Sequence, residues 1–523
     1  MNEMTGQAIH HRWVNGSEKA FTILLRILAY SSAVYFFSFI TADVDLWGHI
    51  QFGKDMWDAE AFQWVDVYSY TAFGAQWINH EWLSELVMSL LYHAFGSPGL
   101  LVAKLLVGFS IVCLLSSICF HRTCQPLVYG TVVVLCIFVM SPGFMIRPQL
   151  VTFLFTALFL YVLHLYLDRG RNLLWTLPLV MVAWVNSHGG FVIGLGMFPV
   201  VLASEYVVCR MRKRDMGHLR PFLFWMVLTG ASVLINPYGW RLLTFLYDTL
   251  TLPRDITEWA PVTLFDLSYI RFKLVSLLFV LTFLIRNEER RYWEAGIILV
   301  ALVYAFMHQR HTPVAAILAA PYLIENLSLL VYRKGMILQK TKTLFSHAVL
   351  SVFLVVLISI QLLFASHRYL MAEWNIIVDP GLYPVDAVRF LKLNGIKGKM
   401  LVPFDWGEYA IWKLYPDCQV SIDGRFDTVY PEEIIKDHFE AARDISKLKQ
   451  LLDKYPADII LGIHNPLYQR LISTQDRWIN IYSDPTAIVF MRNGDCQRDI
   501  LDKFSKKKLL LPQLSGRSLV YFP

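Results

Sequence analysis

Long apolar runs follow one another along most of the chain. Leu100 to Phe120, Leu150 to Leu167 and His347 to Phe364 are three of them. Each has about the 20 residues that an α-helix needs to cross a hydrocarbon core. The pattern predicts about eleven transmembrane helices. They are expected near residues 20-40, 100-120, 126-141, 149-167, 173-186, 190-208, 221-235, 271-285, 292-307, 313-331 and 345-366.

Composition agrees with a chain that is solvated mainly by lipid. Of its 523 residues, 56% are hydrophobic and 17% charged, and the mean hydropathy is +0.45. Soluble domains are less apolar and more highly charged. The net charge of +6 comes largely from bases in short connections between apolar runs, where membrane orientation already explains them. Membrane lipids are therefore expected partners, and nucleic acid is not.

The basic residues favour one set of connections over the other, which predicts the topology. One set holds dense clusters such as Arg210, Arg212 and Lys213. The opposite set is longer and holds five bases, namely Lys54, Arg147, Arg241, Arg254 and Arg310. Because basic connections stay on the cytoplasmic side, we expect residues 1-19 inside, a transmembrane domain over 20-366 and a terminal domain over 367-523 outside the cytoplasm. The predicted location is a bacterial cytoplasmic (inner) membrane.

After the last apolar run, helical and extended patterns alternate, which indicates a small extracytoplasmic α/β domain. We predict helices over 384-394, 407-414, 431-452 and 466-472 and strands over 399-402, 419-422, 458-463, 478-482 and 487-491. Two loops that follow strands carry polar residues, Asp405 with Trp406 and Asp423 with Arg425. Loops of this kind form binding sites in α/β domains. The structural alternative is that Asp405 caps a helix and Gly424 makes a turn.

Cysteine usage gives little chemistry. The seven cysteines include no CxxC pair and no metal-ligand spacing. Only Cys418 and Cys496 share the terminal domain, and whether they form a disulfide is left open.

Polar residues cluster in the connections predicted to lie outside. Beyond the first outer loop and the terminal domain, the candidate binding residues are Arg147, His188, Asn236, Glu258, Arg310 and His311. Ionisable groups at membrane depth are costly and usually mark a site, so their shared side predicts one polar cavity that faces outward. The alternative is that they are helix caps, turns and interfacial anchors.

The first outer loop, residues 41-99, is acidic and carries the pair Asp43 and Asp45. Two carboxylates at this spacing can bind a hard cation such as Mg²⁺ or Mn²⁺ or act as a base beside a phosphate. His49, His80 and Glu81 are candidate ligands, proton carriers or substrate contacts in the same loop, or else capping and exposed residues. Arg147 and Arg310 could clamp phosphate oxygens bidentately, with lipid headgroup contact as the alternative.

These features together resemble the GT-C superfamily of membrane glycosyltransferases. The sequence FDWGEY at 404-409, followed by VSIDG at 420-424, is similar to the region of oligosaccharyltransferase catalytic subunits that contains WWDYG. Here the motif reads PFDWG, so transfer to asparagine is not implied. The chain also resembles bacterial polytopic membrane proteins of uncharacterised function that carry a D-x-D-L-W-x-H first loop and a terminal I-D-G-R.

The resemblance implies a GT-C-like transmembrane domain and transfer of a sugar or oligosaccharide from a polyprenyl-phosphate-linked donor to an acceptor of unknown identity on the outer face. Asp43 or Asp45 would activate the acceptor or bind metal, and Arg147 and Arg310 would balance the lipid phosphate. Two other functions stay open at this point. One is a transporter or flippase for a lipid-linked or anionic substrate, and the other is a non-catalytic envelope assembly protein.

Overall fold

The computed structural model describes residues 2–251, 257–286, 291–333, 343–473, 477–494, 497–516 and 519–522. In chain order its helices are α1 Asn2–Phe37, α2 Leu46–Ala59, α3 Trp82–Phe120, α4 Pro126–Met140, α5 Gln149–Arg169, α6 Thr176–Val185, α7 Phe191–Arg212, α8 Leu219–Ser232, α9 Arg241–Thr251, α10 Ile270–Ile285, α11 Tyr292–Met307, α12 Thr312–Arg333, α13 Thr343–Met371, α14 Val385–Leu393, α15 Gly407–Leu414, α16 Glu432–Ala441, α17 Ile445–Lys454, α18 Pro466–Ser473 and α19 Arg498–Ser505. Its strands are β1 Ile377–Val378, β2 Gly398–Leu401, β3 Cys418–Val420, β4 Ile459–Ile463, β5 Trp478–Ser483, β6 Ala487–Arg492 and β7 Val520–Tyr521.

The chain forms two compact units, each assembled from separate segments. The helical unit consists of Met1–Phe39, Leu101–Trp240 and Thr251–Glu373. The mixed unit consists of Ile40–Leu100, Arg241–Leu250 and Trp374–Pro523. The first-loop residues are therefore folded together with the terminal residues of the chain.

Apolar helices lie at all the positions where transmembrane helices are expected. Seven helices in the described part of the chain are long and apolar enough to cross a membrane, so the protein is an integral membrane protein. They are Glu18–Phe37, Trp82–Phe120, Pro126–Gly143, Gln149–Arg169, Phe191–Arg212, Gln309–Tyr332 and Val349–Met371. The other expected spans fall on α6, α8, α10 and α11, which are shorter, so the figure of about eleven stays a prediction.

Within the helical unit, α12 is central and α13 is peripheral. In an apolar stretch of 18 residues within Gln309–Tyr332, 78% is buried, whereas the share in the corresponding stretch of Val349–Met371 is 22%. The residues from Ala315 to Ala320 are fully or almost fully buried, and four of these six are alanines, whose small side chains let neighbouring helices approach closely. The α13 helix packs on α1, where Ser31 donates a hydrogen bond to the buried Gln361 Oε1 at 2.7 Å.

The mixed unit is built on a five-stranded sheet in the order β3-β2-β4-β6-β5. Strand β2 is parallel to β3 and β4, whereas β6 is antiparallel to β4 and β5. A separate antiparallel pair joins β1 to β7. The predicted helices and strands of the terminal α/β domain are confirmed, with boundary shifts of a few residues and a division of 431-452 into α16 and α17.

First-loop residues extend the β3 edge of this sheet. Ser69 forms a parallel bridge with Val420, and the Val420 amide donates to the Tyr68 carbonyl at 3.0 Å. Thr41 forms a parallel bridge with Ile377 of β1. An edge strand offers unpaired backbone groups, and here the first loop satisfies part of them. This pairing brings the acidic loop to the loops that follow β2 and β3.

The segment from Trp82 to Phe95 forms the first part of α3. Its length and its residues Ser84, Glu85 and His93 favour an interfacial or re-entrant helix over a span. Gly96 interrupts the helix with φ 63° and ψ −156°, a conformation that glycine adopts at little cost. The segment is thus helical and set off by a break, and its position in a membrane stays a prediction. Cys496 lies outside the described residues, so the question of its pairing with Cys418 stays open.

Candidate functional site

The predicted acidic pair lies at the start of α2. Asp45 immediately precedes the helix, and its backbone N–H donates to Asp43 Oδ1 at 3.1 Å. Asp43 is buried and Asp45 is half-buried. Helix N-termini carry a partial positive charge, which stabilises carboxylates placed beside them. The local fold therefore keeps both acids in a setting that tolerates their negative charge.

Glu408, from the first turn of α15, reaches the same helix start. Its buried side chain accepts a hydrogen bond from the Gly48 N–H through Oε2 at 3.1 Å. A Cβ atom at Gly48 would lie 2.2 Å from that oxygen. Only glycine at this position lets the carboxylate approach the backbone so closely.

Asp45 and Glu408 converge above Gly424, in the loop after β3. A Cβ atom at Gly424 would lie 2.5 Å from Asp45 Oδ1 and 2.6 Å from Glu408 Oε1. The two oxygens therefore point to the same place, and glycine leaves it open. We call Asp43, Asp45, Glu85 and Glu408 the carboxylate cluster.

The environment of Glu408 disfavours its negative charge. Burial raises its pKa well above the ordinary value, and the nearby charges of Asp45 and Asp423 raise it further. Arg425 acts in the opposite direction but does not compensate. Glu408 thus holds a proton at pH values where an exposed glutamate has lost it, unless a cation joins the cluster. Such a group can donate or accept a proton during a reaction.

Glu85 and His49 form a second contact in the carboxylate cluster. Glu85 Oε2 accepts a hydrogen bond from Asn79 Nδ2 at 2.6 Å, and its Oε1 lies 3.4 Å from His49 Nδ1. Burial lowers the pKa of His49, but the contact with Glu85 and the charges of Glu81 and Asp45 outweigh burial and leave it raised. His49 therefore keeps its proton to a higher pH than an exposed histidine does.

Arg425 and Asp423, both predicted to bind substrate, form an internal ion network. Arg425 Nε and Nη2 donate to the two oxygens of Asp423 at 2.8 and 2.7 Å, and Nη1 lies 2.7 Å from Asp66 Oδ1. The Tyr430 hydroxyl also donates to Asp423 at 2.6 Å. The guanidinium lies 5.1 Å from the Phe52 ring centroid. These contacts join the first loop to the terminal segment, and a substrate contact by either residue stays a prediction.

Other predicted residues of the mixed unit lie in varied settings. Asp405 is exposed, whereas Trp406 is buried and donates from Nε1 to the Leu382 carbonyl at 2.8 Å. His80 Nε2 lies 3.8 Å from Glu81 Oε1. A role of these residues in binding substrate stays a prediction.

In the helical unit, the predicted residues Arg147 and Glu258 pair with each other. Arg147 Nη1 donates to Glu258 Oε1 at 2.9 Å. The next residue, Trp259, receives the Arg310 guanidinium 4.8 Å from its ring centroid. The ring of His311 lies 6.2 Å from that of Trp259. The short helical turn Thr257–Trp259 therefore connects both predicted phosphate-binding arginines.

His188 and Asn236 also lie in the helical unit and make local contacts. His188 Nδ1 lies 2.8 Å from Thr152 Oγ1 and accepts from the Gly190 N–H at 2.9 Å. Asn236 Oδ1 accepts from the Tyr238 N–H at 2.8 Å, and its Nδ2 donates to the Val233 carbonyl at 2.7 Å. Asn236 thus organises a turn, as the structural alternative expects.

Potential metal ligands come together at two places among the described residues. Across the described residues, the one group of three or more potential ligands whose atoms all lie within 4.8 Å of one another is Glu205, Cys209 and His218, in the helical unit. The expected pair Asp43 and Asp45 is not in that group. Asp45 Oδ1 and Glu408 Oε1 nevertheless converge as two hard oxygen donors, which is the ligand type that Mg²⁺ and Mn²⁺ prefer.

Glu408, Glu85 and Asp66 were not among the predicted site residues. Glu85 had a signal, because it is an ionisable residue within the long apolar sequence of α3. Glu408 stands three residues after the predicted Asp405, but its side chain is buried, whereas Asp405 is exposed. Asp66 was one acid among several in the same loop.

No protein-family model matches the chain, and no curated protein matches it. Solved structures do. The oligosaccharyltransferase of Archaeoglobus fulgidus, tethered with an acceptor peptide containing the NVT sequon, has a TM-score of 0.58 at 10% identity, over 90% of this chain and 74% of that one. The oligosaccharyltransferase AglB from Archaeoglobus fulgidus, in complex with an inhibitory peptide and a dolichol-phosphate, has a TM-score of 0.56 at 11% identity, over 85% of this chain and 70% of that one. ArnT from Cupriavidus metallidurans has a TM-score of 0.51 at 13% identity, over 89% and 96%. The chain therefore has a fold like that of GT-C glycosyltransferases.

Proposed function

We propose that the protein is a membrane glycosyltransferase that moves a sugar or oligosaccharide from a polyprenyl-phosphate-type lipid donor to an acceptor on the outer face of a bacterial inner membrane. The observation that carries the proposal is the convergence of Asp45 and Glu408 above Gly424. A buried carboxylate and a half-buried carboxylate beside an open position are an arrangement for moving a proton at a reacting atom. The GT-C-like fold supports the same reaction class.

In this proposal Asp45 is the general base. It is only half-buried, so an acceptor hydroxyl or amine can reach its carboxylate. Glu408 holds a proton or a positive partner beside it, and Asp43 orients Asp45 through the 3.1 Å contact with its backbone N–H. The new glycosidic bond forms as the bond between the sugar and the carrier phosphate breaks, and the acceptor proton passes to Asp45.

A divalent cation, Mg²⁺ or Mn²⁺, is part of the proposal as an optional partner of the cluster. Asp45 and Glu408 would hold it through the two converging oxygens, and Asp43, two residues before Asp45, would be a further ligand. Such an ion would neutralise the repulsion between the two carboxylates and polarise a bound hydroxyl. The raised pKa values of His49 and Glu408 act against the same repulsion without a metal, because each favours the protonated form of its group.

Arg147 and Arg310 are the proposed contacts for the carrier phosphate. A glycosyl phosphate leaves with negative charge, which cations stabilise in the transition state. Arg147 is now paired with Glu258, and Arg310 stacks on Trp259. A phosphate would compete with Glu258 for Arg147, so binding of the carrier would release that glutamate.

The test is to profile glycans and lipid carriers in cells that produce Asp43→Asn, Asp45→Asn and the double variant. Asp58→Asn is the matched control, because Asp58 is an exposed acid of the same loop that pairs with Lys54 at the surface. We expect a lipid-linked sugar to accumulate and one glycoconjugate to disappear in the Asp45 variants at normal protein abundance. Unchanged profiles in a well-expressed double variant would refute the carboxylate mechanism and favour a transporter or an assembly protein.

A further inference from the structure

A cavity in the mixed unit is lined by basic side chains. It has a volume of about 230 Å³ and lies between α14, α15 and the β1–β7 pair. Arg389 and Lys392, both exposed, line it from α14, and the half-buried Lys413 lines it from α15. None of the described residues that line it is acidic. The cavity is distinct from the carboxylate cluster, since Glu408 does not line it.

The periodicity of the two helices explains why the bases meet. On α14, Val385, Arg389 and Lys392 are spaced by four and three residues, so they lie on one face. On α15, Tyr409 and Lys413 are four residues apart and share a face. Helices α14 and α15 pack against each other, so the two faces bound one space.

The positive charges in this cavity are only partly compensated. Arg389 Nη1 donates to Ser515 Oγ at 2.8 Å and lies 3.3 Å from Asp386 Oδ1. Among the described residues, the Lys392 and Lys413 ammonium groups have no hydrogen bond or ion pair. Burial lowers the pKa of Lys413 to about 8, and the charges of Lys392 and Arg389 act in the same direction. A cavity that brings cations together at this cost gains stability when an anion enters it.

The rest of the lining is apolar or aromatic. Valines from β1, α14 and β7 form one part, and Tyr409 and Tyr521 form another. The volume is below the roughly 300–1,000 Å³ of pockets for drug-sized ligands. The space therefore suits an anionic group with a few carbon atoms attached.

We propose that this cavity binds a phosphate-bearing ligand, with the phosphate held by Arg389, Lys392 and Lys413 and the adjoining carbons packed on the valines and tyrosines. A phosphate dianion matches several cations better than a single carboxylate does, and its oxygens accept from both guanidinium and ammonium groups. The ligand is either a soluble phosphate monoester or the headgroup of a phospholipid. Both ligands carry a phosphate with adjoining carbon atoms, which are the groups that the cavity is proposed to bind.

The test measures how fast Lys413 is acetylated at pH 8 in the full-length protein, held in phosphatidylcholine nanodiscs and read by mass spectrometry. Glycerol 3-phosphate is the soluble probe, and phosphatidic acid added to the nanodisc is the lipid probe. The exposed Lys508 is the internal reference, because it does not line the cavity. We expect one probe to slow acetylation of Lys413 and to leave Lys508 unchanged. Protection by the first probe identifies a soluble ligand, and protection by the second identifies a lipid headgroup.

A variant separates specific binding from general screening by charge. Lys392→Gln removes one ammonium group, and Lys508→Gln is the matched control. We expect the concentration of probe that half-protects Lys413 to rise about tenfold in Lys392→Gln, which is the loss typical of one hydrogen bond to a charged group, and to stay the same in Lys508→Gln. The proposal is wrong if neither probe protects Lys413, if Lys508 is protected equally, or if Lys392→Gln binds the protecting probe as tightly as the wild type.

Discussion

Replacing Arg425 with methionine should destabilise the mixed unit more than any surface change. The substitution keeps much of the side-chain volume but leaves Asp66 and Asp423 without their shared cation. Both carboxylates are fully buried. Removing one partner from a buried ion network costs about 3–5 kcal/mol, because the remaining charges stay desolvated. The loss of stacking on the aromatic rings adds to this cost.

Hydrogen–deuterium exchange of the β3 region reports this cost locally. The Val420 amide, which donates to the Tyr68 carbonyl, should exchange by opening of the pairing between the first loop and β3. A loss of about 3 kcal/mol corresponds to exchange about a hundredfold faster. Arg477→Met is the matched control, since Arg477 and its partner Asp453 are 70% and 71% exposed and 3.6 Å apart. That surface pair should contribute at most about 1 kcal/mol.

Comparison of the Arg425 variants with Arg477→Met tests whether the buried ion network holds the first loop to the sheet. Arg425→Lys keeps the charge but loses the two-pronged contact with Asp423, so its exchange should fall between wild type and Arg425→Met. Equal exchange of Val420 in Arg425→Met and Arg477→Met would show that the buried network does not hold the first loop to the sheet.

Three further predictions follow from single positions. Glu408→Gln should abolish transfer. It should also make the mixed unit more stable than in the wild type as pH rises above about 4.3, because only the wild type must ionise a buried acid whose pKa is raised on folding. A stability difference between the two proteins that stays the same at every pH would contradict this. Gly424→Ala should reduce transfer, since its Cβ would overlap the converging oxygens, whereas Gly494→Ala meets nothing within 4 Å and should be silent; equal activity of the two variants would argue against the site. Burial lowers the pKa of His438 to about 4, so denaturation should show the wild type losing stability as pH falls from 6.5 toward 4 and His438→Gln not doing so. An identical acid response of both proteins would be the contrary result.

Much of the fold could be predicted because its signals are local. An apolar run of sufficient length is a helix wherever it packs, so the expected spans coincide with helices even where these are short, as for α6. In the terminal domain, strand and helix periodicities identify each element to within a few residues, and α15 begins and ends as predicted at 407 and 414.

The assembly of the carboxylate cluster could not be predicted, because it depends on contacts between distant parts of the chain. Gly48 and Glu408 are separated by 360 residues. No periodicity links them, and a DxD triplet alone does not indicate which further acid joins it. The parallel bridge between Ser69 and Val420 brings them together, and nothing in either segment marks that pairing.

The same limit applies to Arg147 and Glu258. Both were predicted as site residues from their polar surroundings, yet their pairing at 2.9 Å depends on how the turn at Thr257–Trp259 packs. A sequence shows that a cation is present at a helix end. It does not show whether an acid of the same protein already neutralises it.

Release of free polyprenyl phosphate by the purified protein tests the central claim most directly. The protein would be reconstituted with a sugar-loaded carrier fraction and acceptor extract from its own host, and the freed carrier would be measured by mass spectrometry. We predict release by the wild type and by Asp58→Asn, and none by Asp45→Asn or Glu408→Gln at equal protein amount. Release at the wild-type rate by an Asp45→Asn, Glu408→Gln double variant, or no release by the wild type from a carrier that it binds, would contradict the assignment of this site to glycosyl transfer.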